Sequence, residues 1–180
     1  MSSIDWRIDE EASVRSFTRA DAELLFGVVD GERERLARWM SFVETTRSVE
    51  DEFAFIDRCR ASDVDVEGNG IWVGDDLAGG IGMSVHPLFN SGEIGYWLRE
   101  RFEGRGLVTR ACRLFVDHAF RNLRLHRVEI RAAVGNTRSQ AVPERLGFTR
   151  EAVLREAVRS STGYHDTIVF GLLEHEWPAA

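Results

Sequence analysis

Apolar positions along this chain change their spacing several times, and each change predicts an element. Ala12 to Phe17 alternate with polar residues, as a half-buried strand does. From Thr18 the period lengthens. Ala22, Leu25, Phe26 and Val29 share one helical face, and Thr18 with Asp21 makes a capping-box start. Leu36, Trp39, Met40 and Val43 form a second stripe and predict a helix over Glu32 to Glu44. Ser48 and Asp51 open a third, running through Arg60. The stretch from Asn69 to Phe89 reads as a hairpin turning at Asp75 and Asp76, with glycines that suit close backbone approach. Gly92 to Arg99 is a further strand. A helix from about Gly106 to Asn122 follows, with Leu107, Ala111, Leu114, Phe115 and Ala119 along one face. His126 to Val134 is a strand, and NTRSQAVPERLGF a short helix ending at Gly147. Two late strands flank a turn at Thr162 and Gly163.

The order strand, helices, three strands, helix, strand, helix, two strands predicts a mixed α/β sheet. The chain of 180 residues contains no repeat or linker, so one domain over 1–180 is expected, with its core from about 12 to 177. A formal net charge of -7 argues against general nucleic-acid binding, which needs a basic face. No apolar run approaches the roughly 20 residues of a membrane span, and MSSIDWRIDE lacks signal-peptide features, so the expectation is a cytoplasmic protein. Cys59 and Cys112 have no metal or redox spacing and read as buried thiols. The histidines show no metal-ligand spacing either, and no metal is expected. All 23 basic residues are arginine. Without lysine there is no Walker-type phosphate loop and no Schiff base.

Arg101 to Val108, RFEGRGLV, joins a strand to a helix with two glycines one residue apart. Unpaired N–H groups at a helix start, approached over bare glycine backbone, make an anion site, most often for phosphate. A tight turn feeding a helix would look the same. The dinucleotide fingerprint G-x-G-x-x-G is not met, because Thr109 stands where the third glycine belongs.

Arg101-Phe-Glu-Gly104-Arg-Gly106 instead resembles the acyl-CoA pyrophosphate loop of the GNAT superfamily of N-acetyltransferases. EIGYWL before it, NTRSQAVPERLGFTRE after it and the closing GYHDTIVFGLLEHEW extend the resemblance. The last of these is similar to the branch that acetylates ribosomal-protein N-termini. The resemblance implies a mixed, mostly antiparallel twisted sheet flanked by helices, with two central strands splayed at the CoA site. It implies acetyl-CoA as co-substrate. Arg101, Gly104, Arg105, Gly106, Leu107, Val108 and Thr109 would surround its pyrophosphate, with the backbone N–H groups from Gly104 to Thr109 holding it. The backbone of Trp97, Leu98 and Arg99 would pair with the pantetheine arm. Asn136 would bond that arm, and Ser139 would lie near the thioester sulfur.

Acetyl transfer needs a neutral amine, donors for the oxyanion, and a proton for the departing thiolate. Many GNAT enzymes place a tyrosine four residues before the Gly-Phe pair as that acid; here the position is Pro143. The ribosomal branch resembles this chain in lacking it, which points to Ser139, although Ser139 reads equally as a helix N-cap. Candidate bases are Glu93, which shares a strand face with Gly95 and Trp97, and Glu156, on a cleft face if its strand is regular. Glu151 is a further choice, and so is a water chain. Trp39, Tyr164 and His165 are candidates for the acceptor pocket. An unperturbed α-amine, at a pKa of about 7.7–8.0, is easier to use than a lysine amine near 10.4. The expected reaction is therefore acetylation of a protein N-terminus, such as that of a ribosomal protein. A small amine acceptor or a catalytically silent acyl-CoA sensor is the alternative. Homodimers are common in the family, and the sequence leaves oligomeric state open.

Overall fold

Period-two alternation becomes strand pairing in a computed structural model that describes residues 4–61 and 66–178. Among the described residues, eight strands form one sheet in the order β1-β2-β3-β4-β5-β6-β8-β7. They are β1 (Asp5–Arg7), β2 (Ala12–Ser16), β3 (Asn69–Val73), β4 (Asp76–His86), β5 (Ser91–Leu98), β6 (Arg127–Ala133), β7 (Thr149–Ser160) and β8 (Gly163–Leu173). Every neighbouring pair is antiparallel except β5 with β6. That parallel pair is short. It runs from Ser91 opposite Arg127 to Ile94 opposite Ile130, and then the strands part. The mixed, mostly antiparallel sheet and the central splay are as expected.

Helices cover both faces. α5 (Leu107–Arg121) lies on one, burying Leu107, Ala111, Cys112, Phe115 and Ala119 against Ile94, Val128, Ile130, Ile168 and Phe170. α6 (Thr137–Arg145) adds Val142 to the same core. On the other face α1 (Ala22–Gly31) and α4 (Val49–Ala61) enclose a second cluster with Phe17, Leu25, Val29, Ile56, Trp72 and Leu77. Both caps read from the sequence form. Asp21 accepts from Thr18 N at 2.7 Å, and Asp51 accepts from Ser48 N at 2.9 Å.

Three expectations need correction. The single helix over Glu32 to Glu44 is two short ones, α2 (Arg33–Leu36) and α3 (Phe42–Thr45). The side chain of Arg33 donates to the carbonyls of Val43 and Thr46, so it clasps the two turns together and leaves Trp39 and Met40 on the connection. The core also starts before residue 12. β1 pairs with β2, Ile4 is buried, and Trp6 meets Phe115 edge-on at 5.1 Å. Ser139 is not the N-cap of α6. Asn136 is, its side-chain oxygen accepting from Ser139 N at 3.2 Å. Cys59 and Cys112 are buried free thiols, as expected.

Two glycines of β4 let β5 approach closely. A Cβ on Gly79 would overlap the Trp97 carbonyl oxygen and lie 2.8 Å from the Leu98 Cα, while Gly95 has nothing within 4 Å. Gly79→Ala is therefore expected to destabilise the fold by roughly 1–3 kcal/mol, because backbone cannot move aside as a side chain can. Gly95→Ala should stay within about 0.5 kcal/mol in the same urea unfolding measurement.

Candidate active site

The site begins at the start of α5. Gly104 and Gly106 both hold left-handed backbone, at φ 75° and 69°, and no side chain caps the helix. A Cβ on Gly104 would meet nothing within 4 Å, and one on Gly106 only Arg110 Nε at 4.0 Å. The loop thus keeps its open side by backbone conformation rather than by packing. Leu107 and Val108 root it in the core. The arginines around it are engaged. Arg101 donates to Asp76 at 2.7 Å and lies 4.7 Å over the Phe102 ring, Arg105 reaches Glu11 at 3.4 Å, and Arg110 binds Asp9. The remaining attraction for an anion rests mostly on the bare N–H groups and the helix dipole.

Beyond Ile94 the β5 edge facing β6 is unpaired. Arg99 N donates to Ala78 O at 2.8 Å, and Trp97 stands opposite Gly80. By antiparallel alternation the main-chain groups of Trp97 and Arg99 turn toward β4, and those of Tyr96 and Leu98 face the gap. Arg35 already donates to the Leu98 carbonyl. Across the gap, on the α5 face, Tyr96 Oη donates to Ser139 O at 2.8 Å and accepts from Ser139 Oγ at 3.2 Å. Burial pushes the Tyr96 phenol up, so it keeps its proton. The sequence reading passed over Tyr96; it lies inside EIGYWL, but only the fold brings it to residue 139.

A cavity of about 830 Å³ opens at the splayed strands and reaches the Tyr96–Ser139 pair from the other face. Glu93, Trp97, Asn136, Ser139 and Trp39 all line it. Trp97 lies against Gly80, where a Cβ would overlap the indole Nε1 and lie 2.9 Å from Cε2. Trp39 lies against Gly135 and meets the His165 ring at a tilt, with centroids 5.6 Å apart and the planes at 51°. Ala37 O accepts from Ser161 N at 3.1 Å and from Ser161 Oγ at 2.8 Å, which ties the α2–α3 connection to the β7–β8 turn. Tyr164 is 67% exposed and lies outside the lining. Thr167 is buried with a hydroxyl that has no partner among the described residues, and it lines the cavity too.

The carboxylates separate by environment. Glu93 pairs with Arg131 at 3.2 Å. Glu151 receives both terminal nitrogens of Arg127, and that bond holds it below the usual carboxylate range. Glu156 sits where the β7–β8 register breaks between Leu154 and Val158, at φ 50°, exposed and outside the cavity lining. The regular strand assumed for it does not form. Glu52, which the sequence reading did not single out, is only 4% exposed and faces the cavity from α4. Burial raises its pKa to about 7, with the Asp51 charge adding to the shift.

Residues 13–149 match the model of the acetyltransferase (GNAT) domain. The chain is 35% identical over 175 residues to Bacillus subtilis YdaF, provisionally named a ribosomal N-acetyltransferase, covering 95% of this chain and 96% of that one. It is 33% identical over 97 residues to the ribosomal-protein-serine acetyltransferase of Escherichia coli, covering 53% and 54%. The solved structure of RimL, a ribosomal L7/L12 α-N-protein acetyltransferase in complex with coenzyme A, superposes with a TM-score of 0.86 at 21% identity, over 94% of this chain and 98% of that one.

Glu52 gives a stability prediction with a definite sign. Its folded pKa, about 7, lies above the ordinary carboxylate value, so the folded state holds the extra proton. Its contribution to stability therefore falls as pH rises from about 4.5 to 7. Glu52→Gln removes that loss. Its melting temperature should exceed the wild type's at pH 8, by the equivalent of about 1–3 kcal/mol, and the gap should close toward pH 4.5.

Proposed function

The chain belongs to the GNAT acetyltransferase family and is an acetyl-CoA-dependent N-acetyltransferase; from that premise we propose that its acceptor is the α-amine of a protein N-terminus, as on a ribosomal protein. The observation that carries this is the match to YdaF at 35% identity over 95% of the chain. The site supports it. Trp39 lines the cavity and meets His165, which lies outside the lining, so this wall is where the first residues of a peptide would lie.

The residues divide the work as follows. Acetyl-CoA supplies the activated acetyl group. The N–H groups from Gly104 to Thr109 hold its pyrophosphate, with no basic side chain reserved for the purpose. The β5 edge at Tyr96 and Leu98 pairs with the pantetheine arm, once Arg35 yields the Leu98 carbonyl or shares it. The main chain of Trp97 shapes the strand from the β4 side, and its ring floors the acceptor cavity. Asn136 fixes the start of α6, so its contribution to CoA binding is through the amide nitrogen and through the position of Ser139. Ser139 and Tyr96, hydroxyl to hydroxyl, protonate the departing sulfur. Tyr96 supplies the phenol that Pro143 cannot. Glu93 is held by Arg131 and orients the cavity wall, while Tyr164 and the bulge at Glu156 lie outside the cavity lining, toward the rest of an incoming chain.

A small polyamine is the second reading, favoured by Asp51, Glu52, Glu67 and Glu93 all lining one cavity. Free-thiol release from acetyl-CoA, measured against seryl and alanyl hexapeptides, spermidine and an aminoglycoside, separates the two. Turnover of a hexapeptide with acetylation at its α-amine is expected; turnover of spermidine alone would overturn the peptide assignment. Gly106→Ala should raise the acetyl-CoA dissociation constant at least tenfold by calorimetry, because an L-residue resists the left-handed conformation by about 1–2 kcal/mol and its methyl group covers the N–H cradle. Ser139→Ala should lower kcat by about 10²-fold with that constant nearly unchanged.

A further inference from the structure

The apolar stripe of α4 runs Val49, Glu52, Ile56, Cys59, so a carboxylate occupies a position that packing alone would give to Leu or Ile. Glu52 is 4% exposed. Among the described residues its carboxylate makes no hydrogen bond or ion pair. A buried, unpartnered carboxylate is costly unless it stays protonated or meets a cation, and this one lines the acceptor cavity. The other acids of the cavity are differently placed. Asp51 accepts from the backbone of Arg47 and Ser48, Glu93 is bridged to Arg131, and Glu67 is half-buried on the approach to β3.

We propose that Glu52 receives the acceptor's amino group in this cavity and takes its proton, directly or through one water. The inference rests on the acetyltransferase reading above and extends it by naming the base. The acceptor arrives as an ammonium ion and gives one proton to the Glu52 carboxylate. The freed nitrogen lone pair forms the C–N bond to the thioester carbonyl carbon, and the C–S bond breaks with its electron pair on sulfur. The second N–H proton passes from the new amide nitrogen to the Ser139–Tyr96 pair, replacing the proton that this pair gives to the thiolate. Glu52 then releases its proton to solvent, so acetamide, thiol and one proton balance ammonium and thioester. A carboxyl titrating near 7 is matched to an α-ammonium near 7.7–8.0 and poorly matched to a lysine ε-ammonium near 10.4. The charged groups that share the cavity with Glu52 are Asp51 and Arg58 on its own helix, Glu67 before β3, and the Glu93–Arg131 pair on β5 and β6. The negative charges among them favour an incoming cation.

The test compares wild type, Glu52→Gln, Glu52→Asp and Glu67→Gln on whichever amine of the panel the wild type acetylates, between pH 6 and 9. Wild-type kcat/KM should fall on the acid side along a limb set by the free enzyme's base. Glu52→Gln should lower kcat at least 100-fold and abolish that limb, with acetyl-CoA affinity within twofold of wild type and no loss of melting temperature. Glu52→Asp should recover part of the activity and keep the limb, and Glu67→Gln should keep both. Glu52→Gln with kcat within threefold of wild type and an unaltered limb would overturn the assignment while leaving acetyl transfer intact. A wild type that acetylates spermidine and no peptide would change the acceptor without touching this comparison.

Discussion

The parting of β5 from β6 is the constraint on which the rest of the molecule depends. A parallel pair inside an otherwise antiparallel sheet holds for only the stretch from Ser91 to Ile94, and beyond it two central strands lose each other. Main-chain groups in the middle of a sheet cannot be left dry and unpaired. The fold answers by making the gap a site. The Leu98 carbonyl takes the Arg35 guanidinium, and the phenol of Tyr96 bridges to Ser139 on α6. The cavity in front of the gap is lined from both strands. A regular sheet would have buried these groups against each other and left nothing for a thioester to reach.

The two faces of the gap then take opposite characters. On the α5 side the packing is tight and apolar, with Phe115, Ile94 and Ile130 fully buried, and the Tyr96–Ser139 pair reaches from it into the cavity. Burial keeps the Tyr96 phenol protonated, so a proton is held in place beside Ser139 at the gap. On the other side lie Glu52, Glu93, Arg131 and the unpartnered hydroxyl of Thr167. That asymmetry divides donor from acceptor of protons across one opening, with the reacting carbonyl expected between them.

Much of this was legible in the chain because it depends on local rules. The strand and helix periods, the two caps at Asp21 and Asp51, and the left-handed glycines 104 and 106 are properties of a few adjacent residues. What escaped depends on residues far apart. The Glu32 to Glu44 stripe was helical in period, yet Arg33 folds it into two turns through bonds to carbonyls ten and more residues away. Glu156 fell on the cleft face only while β7 was counted as regular, and a register break moves it out. Tyr96 stood inside EIGYWL with no role of its own, and Glu52 carried no motif. Their significance comes from a partner on another helix in one case, and from the absence of any partner in the other.

That absence has a structural cost which argues for its purpose. Substituting an apolar residue of similar volume at position 52 would extend the stripe from Val49 to Ile56 without interruption and relieve the desolvation of the carboxylate. A fold selected for stability alone has no use for a buried acid there. Functional sites are where local rules are broken and the loss is accepted, since an activity often needs a group held in an environment it would not choose. Glu93, by contrast, sits in an ion pair that any surface sheet could carry, and Glu151 is locked by a forked arginine that keeps it ionised. Among the described residues Glu52 is the buried acid of the cavity that no hydrogen bond or ion pair compensates, and its compensation must come from outside the protein.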